Sequence, residues 1–173
     1  HYCGKSFFFG KTEKIYHAPK AVQPLRQETK GYRKPGRLAN EDSIDKNMKQ
    51  WFVNRGIPAQ IAEAEGITKV CRRMPQTGKV ESCIVFPYIV DGELVNRKYR
   101  DGAKNFMLES GAKLVPYRID RIRDTAECII CEGEMDALSF IVAGYDNVIS
   151  VPNGAQKNLT YLDEFVETHF ENK

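Results

Sequence analysis

The sequence predicts an α+β N-terminal subdomain built around an antiparallel hairpin, followed by a partial α/β unit with a parallel sheet. Three observations carry this. Asp91-Gly92 separates two β-type runs, 83–90 and 93–99, and a type I′ hairpin turn needs positive φ at both central residues. The apolar run Cys128-Ile129-Ile130 passes through Cys131-Glu132-Gly133-Glu134-Met135-Asp136 into a helical pattern of Ala137, Leu138, Phe140 and Ile141. A second short strand, 148–151, follows, and two strands joined by a helix pair in parallel through a right-handed crossover.

Taken in order, residues 18–42 hold Pro19, Pro24, Pro35, Gly31 and Gly36 among many charges and read as a flexible basic linker. Asp42 or Ser43 then offers an N-cap. Ile44, Met48, Trp51 and Phe52 follow at the spacing of an amphipathic helix that Gly56 stops. This aromatic stripe reads as core before it reads as a base-stacking platform. Pro58 starts a second short helix, with Ile61 and Ala62 inward, and Gly66 ends it. Residues 67–72 form the strand before the hairpin, and 105–107 a short strand after it. A closing helix is expected over about 159–170, with Leu159, Leu162, Phe165 and Val166 apolar.

Composition narrows the class. At 173 residues the chain is one sizeable domain or two small ones. It has no run of eighteen apolar residues, so no membrane span is expected. It has no secretory signal, so a cytoplasmic location is expected, in a prokaryotic or phage-infected cell. Net charge is only +3, but residues 1–40 are basic, while from Asp124 onward acids dominate and only Lys157 and Lys173 oppose them. A basic front and an acidic back fit a polyanion-binding arm joined to a metal-binding body, or simply a solvated basic linker. The five cysteines give an odd count and no disulfide framework. Cys71, Cys83 and Cys128 read as core thiols. Cys128 and Cys131 make a C-x-x-C spacing, but on a strand they point to opposite faces. No P-loop motif occurs.

Carboxylates at the end of a strand in an α/β unit lie where such folds place their chemistry. Glu132, Glu134 and Asp136 offer oxygen ligands to a hard divalent cation, Mg²⁺ or Mn²⁺. Acids at a helix N-terminus also simply complement its dipole, which accounts for Glu134 and Asp136 better than for Glu132. Gly133 is expected to let the backbone turn sharply. Lys98 and Arg100 share one face of their strand, and Lys104 follows after a Gly turn, so three cations could converge on phosphate groups. A solvated strand face is the plainer reading.

At these residues a family resemblance appears. The strand ending in Glu132-Gly133 with Asp136 three residues on, and the loop Pro152-Asn153-Gly154-Ala155 after the second strand, resemble the first half of a Toprim domain. The hairpin, the segment Lys98-Tyr99-Arg100-Asp101-Gly102-Ala103-Lys104-Asn105-Phe106 and the strand–Glu-Gly–helix unit follow one another as in phage-type primase–helicases. The similarity covers roughly 44–158. His1-Tyr2-Cys3-Gly4-Lys5 and the strand after it resemble the end of a zinc ribbon, of which Cys3 would be one remaining zinc ligand.

The resemblance implies four segments: a zinc-ribbon remnant (1–17), the linker (18–42), a primase RNA-polymerase N-terminal subdomain (43–123) and a partial Toprim domain (124–173). It implies a DNA primase fragment whose intact protein joins ribonucleoside triphosphates on single-stranded DNA during replication, with a helicase domain in the same chain. Glu132 would act at the catalytic metals as ligand or proton acceptor, with Glu134 and Asp136 beside it. Lys98, Arg100, Lys104, Asn153 and Gly154 would hold template or nucleotide. Zn²⁺ would belong to the intact protein only. The family's Asp-x-Asp strand is absent from this sequence, so the metal site is expected to be partial and the fragment inactive alone. A silent single-strand-binding module of a replicative helicase is the alternative, and a Toprim nuclease or topoisomerase the second.

Overall fold

The structure, a computed structural model, describes residues 31–154, 157–171 and 173. The expected zinc-ribbon remnant with Cys3, and the linker up to residue 30, lie outside the described residues. The chain divides into two units, His1–Gly31 and Tyr32–Lys173. The second holds every helix and strand found among the described residues.

Its centre is a five-stranded antiparallel sheet in sequential order: β1 (Asp42–Ser43), β2 (Thr68–Arg73), β3 (Val80–Val90), β4 (Glu93–Arg100) and β5 (Phe106–Leu108). The predicted hairpin forms, with φ of 54° at Asp91 and 75° at Gly92. Strand β3 is apolar on both faces and is covered on both. Ile84, Phe86 and Tyr88 face the main core, whereas Cys83 and Val85 join Val70, Met74 and Tyr99 in a smaller cluster on the other side. Pro87 is tolerated because β2 pairs with β3 only as far as Val85, which leaves the edge beyond it open.

Two helices precede β2. Helix α1 (Lys46–Val53) is capped by Asp45, whose carboxylate accepts from Met48 N at 3.0 Å. The expected caps Asp42 and Ser43 are instead consumed by pairing with Lys69 and Thr68 in β1. Helix α2 (Ala59–Ala64) follows Pro58, and Gly66 after it takes φ 67°. A 3₁₀ turn at Ile119–Ile122 then leads to β6 (Ile129–Cys131), α3 (Glu134–Val142) and β7 (Val148–Ser150). Strands β6 and β7 pair in parallel, as the sequence pattern predicts. Ala137 and Leu138 of α3 and Val148 and Ile149 of β7 share the main core with Phe86 and Tyr88 of the antiparallel sheet.

Three sequence expectations change. The closing helix is a 3₁₀ segment (Thr160–Phe165) continued by a π turn (Val166–Phe170). Leu162 and Phe165, three residues apart, suit a 3₁₀ period, and Val166 faces solvent. Cys71 is exposed, because β2 alternation turns Val70 inward, while Cys83 is buried. Within the expected linker, residues 32–41 form neither helix nor strand, turn at 39–40, and are fastened to the body. Arg33 N donates to Gly111 O at 2.9 Å, the Arg97 guanidinium to Gly36 O at 2.8 Å, and Leu38 packs on the smaller cluster. Among the described residues no helix is long and apolar enough to cross a membrane.

Arg118 ties the two sheets' surroundings together. Its guanidinium is buried and binds Glu65 through two nitrogens at 2.8 and 3.3 Å, Asp146 Oδ1 at 2.5 Å, and the carbonyls of Asp146 and Val148 at 2.9 Å each. A planar fork makes this set and a lysine ammonium cannot. Arg118→Lys is expected to lower stability by about 1–3 kcal/mol, the scale of charge-assisted bonds lost in a buried setting. Urea denaturation with an unchanged midpoint would show that the fork is dispensable.

Candidate functional site

The site is built where β6 hands over to α3. Glu132 follows the last strand residue and its side chain is exposed. Gly133 has φ −143° and ψ 160°, an extended conformation open to any residue, so its value is space rather than a sharp turn. A Cβ there would lie 3.3 Å from Asp136 Oδ2. Asp136 itself is exposed in the first turn of the helix.

Glu134 goes the other way. It is 3% exposed, and its Oε1 accepts from Lys98 Nζ at 2.9 Å and from the Tyr88 hydroxyl. Lys98 Nζ also donates to Pro152 O in the loop after β7, at 2.8 Å. The cause lies in the sheet. Lys98 pairs with Phe86 across β3–β4, and side chains at 84, 86 and 88 face the core that receives α3. Residue 98 must therefore project into that core, where an ammonium requires an anion and hydrogen bonds. Burial pushes the Tyr88 phenol well above its ordinary range, and the Glu134 charge adds to this, so it stays a donor. Burial also pushes the Cys131 thiol up, to about 11, which leaves it protonated and unsuited to nucleophilic work.

Arg100 shares Lys98's face but packs differently. Its guanidinium lies 4.6 Å from the Trp51 ring centre and 5.8 Å from that of Phe106. The next turn is held by Asp101, whose Oδ1 accepts from Ala103 N at 2.9 Å and Asn105 N at 2.8 Å, and whose Oδ2 accepts from Asn105 Nδ2 at 2.7 Å. Burial pushes the Asp101 carboxyl up, but these bonds outweigh it and hold it below the usual carboxylate value. The turn presents Lys104 to solvent at φ 67°, a left-handed conformation uncommon for a lysine. In the loop after β7, Gly154 has φ 68° and Asn153 is exposed.

The predicted residues thus separate into two groups. Glu132, Asp136, Lys104 and Asn153 face solvent, whereas Lys98, Arg100 and Glu134 are buried. The expected convergence of three free cations is corrected: the Lys98 ammonium is spent on Glu134 and Pro152. The expected three-carboxylate set for Mg²⁺ or Mn²⁺ does not fit either. Glu134 is occupied by an ammonium and a phenol, and among the described residues no group of three or more His, Cys, Asp or Glu is placed to hold a metal ion. Tyr88 and Trp51 belong to this region, and sequence reasoning gives neither a role in it. Tyr88 carries no local signal, sitting in the apolar run Phe86-Pro87-Tyr88-Ile89. Trp51 reads as core before it reads as anything else.

No family model matches the chain. The primase homolog protein of Arabidopsis thaliana is 42% identical over 80 residues, which cover 46% of this chain and 24% of that protein. The chloroplastic/mitochondrial Twinkle homolog protein of the same plant is 35% identical over 137 residues, covering 72% of this chain and 19% of its own length. The chain therefore spans a quarter or less of the curated relatives it matches. Among solved structures, the RNA polymerase domain of Mycobacterium tuberculosis primase DnaG, crystallised with double-stranded DNA, superposes with a TM-score of 0.57 at 14% identity, over 73% of this chain and 53% of that one. In sequence the chain is thus similar to a primase homolog and a Twinkle homolog, and in fold to the RNA polymerase domain of a primase.

Proposed function

We propose that the protein containing this chain is a DNA primase that joins ribonucleoside triphosphates on a single-stranded DNA template, with a helicase region in the same polypeptide. The β6–α3–β7 unit is, on this reading, the first half of a Toprim domain. The observation that carries it is the exposed Glu132 carboxylate at the strand–helix junction, in a chain of primase fold. Glu132 serves as oxygen donor or proton acceptor, and Asp136 stands beside it. A hard cation, Mg²⁺ or Mn²⁺, would draw these two donors from this chain and the rest from residues outside those described. Glu134 is not among them. Zn²⁺ bound with Cys3 remains a proposal for the intact protein. Lys104, Asn153 and Gly154 border the path of template or nucleotide, and Arg100 backs it. The expected cytoplasmic location stands beside a relative whose name places it in chloroplast and mitochondrion.

The test is primer synthesis by the full-length protein from ribonucleoside triphosphates on single-stranded DNA. Labelled short RNA products support the reading, and their absence with an active helicase supports the second one. That second reading, a DNA-binding module without priming, is favoured by one observation: Glu134 is withdrawn into an ion pair, so the acidic run supplies fewer donors than its sequence suggests.

Lys104 gives a narrower check. If it meets a phosphate, Lys104→Ala reduces the slope of log affinity against log salt by about 0.7 on single strands. An unchanged slope would make it an ordinary surface charge.

A further inference from the structure

The closing segment, Thr160–Phe165 and Val166–Phe170, is fastened to the body through a buried imidazole. His169 is 3% exposed, and its ring meets the Phe165 ring edge to face at 5.1 Å. Arg123 Nη2 lies 3.1 Å from His169 Nε2, and Thr168 Oγ1 lies 2.7 Å from Nδ1. A guanidinium can only donate, so Nε2 presents its lone pair and Nδ1 carries the ring proton, which it gives to Thr168. The same Arg123 nitrogen donates to Asp91 Oδ1 in the hairpin turn at 2.5 Å. A chain of hydrogen bonds therefore runs from the β3–β4 turn through Arg123 to the closing segment. It is complete only while the imidazole is neutral.

We infer that His169 is a pH-sensitive latch: the neutral ring holds residues 160–170 against the hairpin turn and the 3₁₀ turn, and the protonated ring lets that segment go. A second ring proton would sit on Nε2 and set a new cation 3.1 Å from the Arg123 guanidinium. The charges around the ring do not offset this. Lys113 pairs with Glu164 at 2.5 Å, and Arg123 pairs with Asp91, so these charges cancel one another. Lys173 adds a further cation, donating to Thr125 O at 2.5 Å. Asp120 is the remaining counter-charge. Its Oδ1 stands 3.7 Å from Nε2 and 3.6 Å from Arg123 Nη2, outside hydrogen-bond reach of both, while its Oδ2 accepts from Gly92 N at 3.4 Å. Burial, and after it the Arg123 charge, push the His169 imidazole below its ordinary value of 6.5, against the pull of Asp120 and Asp91. In mild acid the folded chain thus binds fewer protons than the unfolded one. The latch acts in full above 6.5 and weakens as pH falls below it. A cavity of about 530 Å³ borders the ring, walled in part by Val90, Lys113, Phe165 and Thr168, and gives a charged ring a short way to water. Phe165 belongs to the main core, so release of the segment uncovers apolar surface. The latch holds whether or not the protein makes primers.

Hydrogen–deuterium exchange of the 173-residue chain reads the latch directly. Between about pH 7.5 and about pH 5.5, after correction for intrinsic exchange, amides 160–170 are expected to lose protection by at most about tenfold per pH unit, the limit for one proton. Amides of β3 and β4 are expected to keep theirs. His169→Gln retains an acceptor for Arg123 and cannot titrate, so its closing segment is expected to stay equally protected at both pH values. NMR of the histidine rings, with the His169 signal identified by its loss in that variant, is expected to show titration below 6.5. Four results would each overturn the latch: equal protection of the parent at both pH values, a His169→Gln segment as pH-sensitive as the parent's, a loss spread evenly over β3 and β4, or a His169 titration at or above 6.5.

Discussion

Lys98→Met is expected to destabilise the protein by about 3–5 kcal/mol, the usual result of removing one member of a buried ion pair. The side chains of Lys98 and Glu134 are 10% and 4% exposed, so neither can turn to water when its partner goes. The methionine would fill the space of the lysine stem and leave the Glu134 carboxylate with the Tyr88 hydroxyl as its remaining donor. Pro152 O would lose its donor as well, freeing the loop after β7 from β4. Glu134→Gln is expected to cost less, because an amide oxygen still accepts from Tyr88 and Lys98. The double variant Lys98→Met, Glu134→Leu removes both charges together and should recover much of the single-variant loss. Urea denaturation across the four proteins gives the coupling energy directly. A Lys98→Met midpoint close to the parent's, with no coupling to Glu134, would return Lys98 to the solvated face that composition alone suggests.

How much of this was legible depends on which physical signal each residue sends. Asp91-Gly92 has one favoured structural outcome, and the hairpin follows from it. The β6–α3–β7 unit was readable because its period changes from strand to helix within ten residues of Ile130. That Lys98 and Arg100 share a face also followed from strand geometry. Which face it would be did not. Strand β4 reads Glu-Leu-Val-Asn-Arg-Lys-Tyr-Arg, with no clean alternation, and β3 is apolar on both sides, so neither names the side that α3 covers. Glu134 misled for a related reason: an acid in the first turn of a helix is already explained by the dipole, and nothing local reveals a lysine thirty-six residues away. The Arg55–Trp51 contact is local, between α1 and the turn four residues on that follows it. The Trp51–Arg100 contact needs the sheet to bring it about.

Glu132→Gln in the full-length protein is expected to lower primer synthesis by roughly 10²–10⁴-fold, the range for losing a positioned acid–base group. The substitution keeps shape and changes charge, at a side chain that is exposed, and such surface changes usually move stability by no more than about 0.5 kcal/mol. A loss of synthesis with an unchanged denaturation midpoint and unchanged oligo(dT) affinity is therefore a loss of chemistry. The neighbouring carboxylates supply the contrast. Glu134→Gln acts through the Lys98 pair, so any loss it causes should track its denaturation midpoint. Asp136→Asn changes an exposed group one turn along and tests whether a second oxygen donor is needed. If Glu132→Gln primes at the parental rate, the junction's exposed acid is not the reacting group, and the DNA-binding module without priming becomes the better account of this fold.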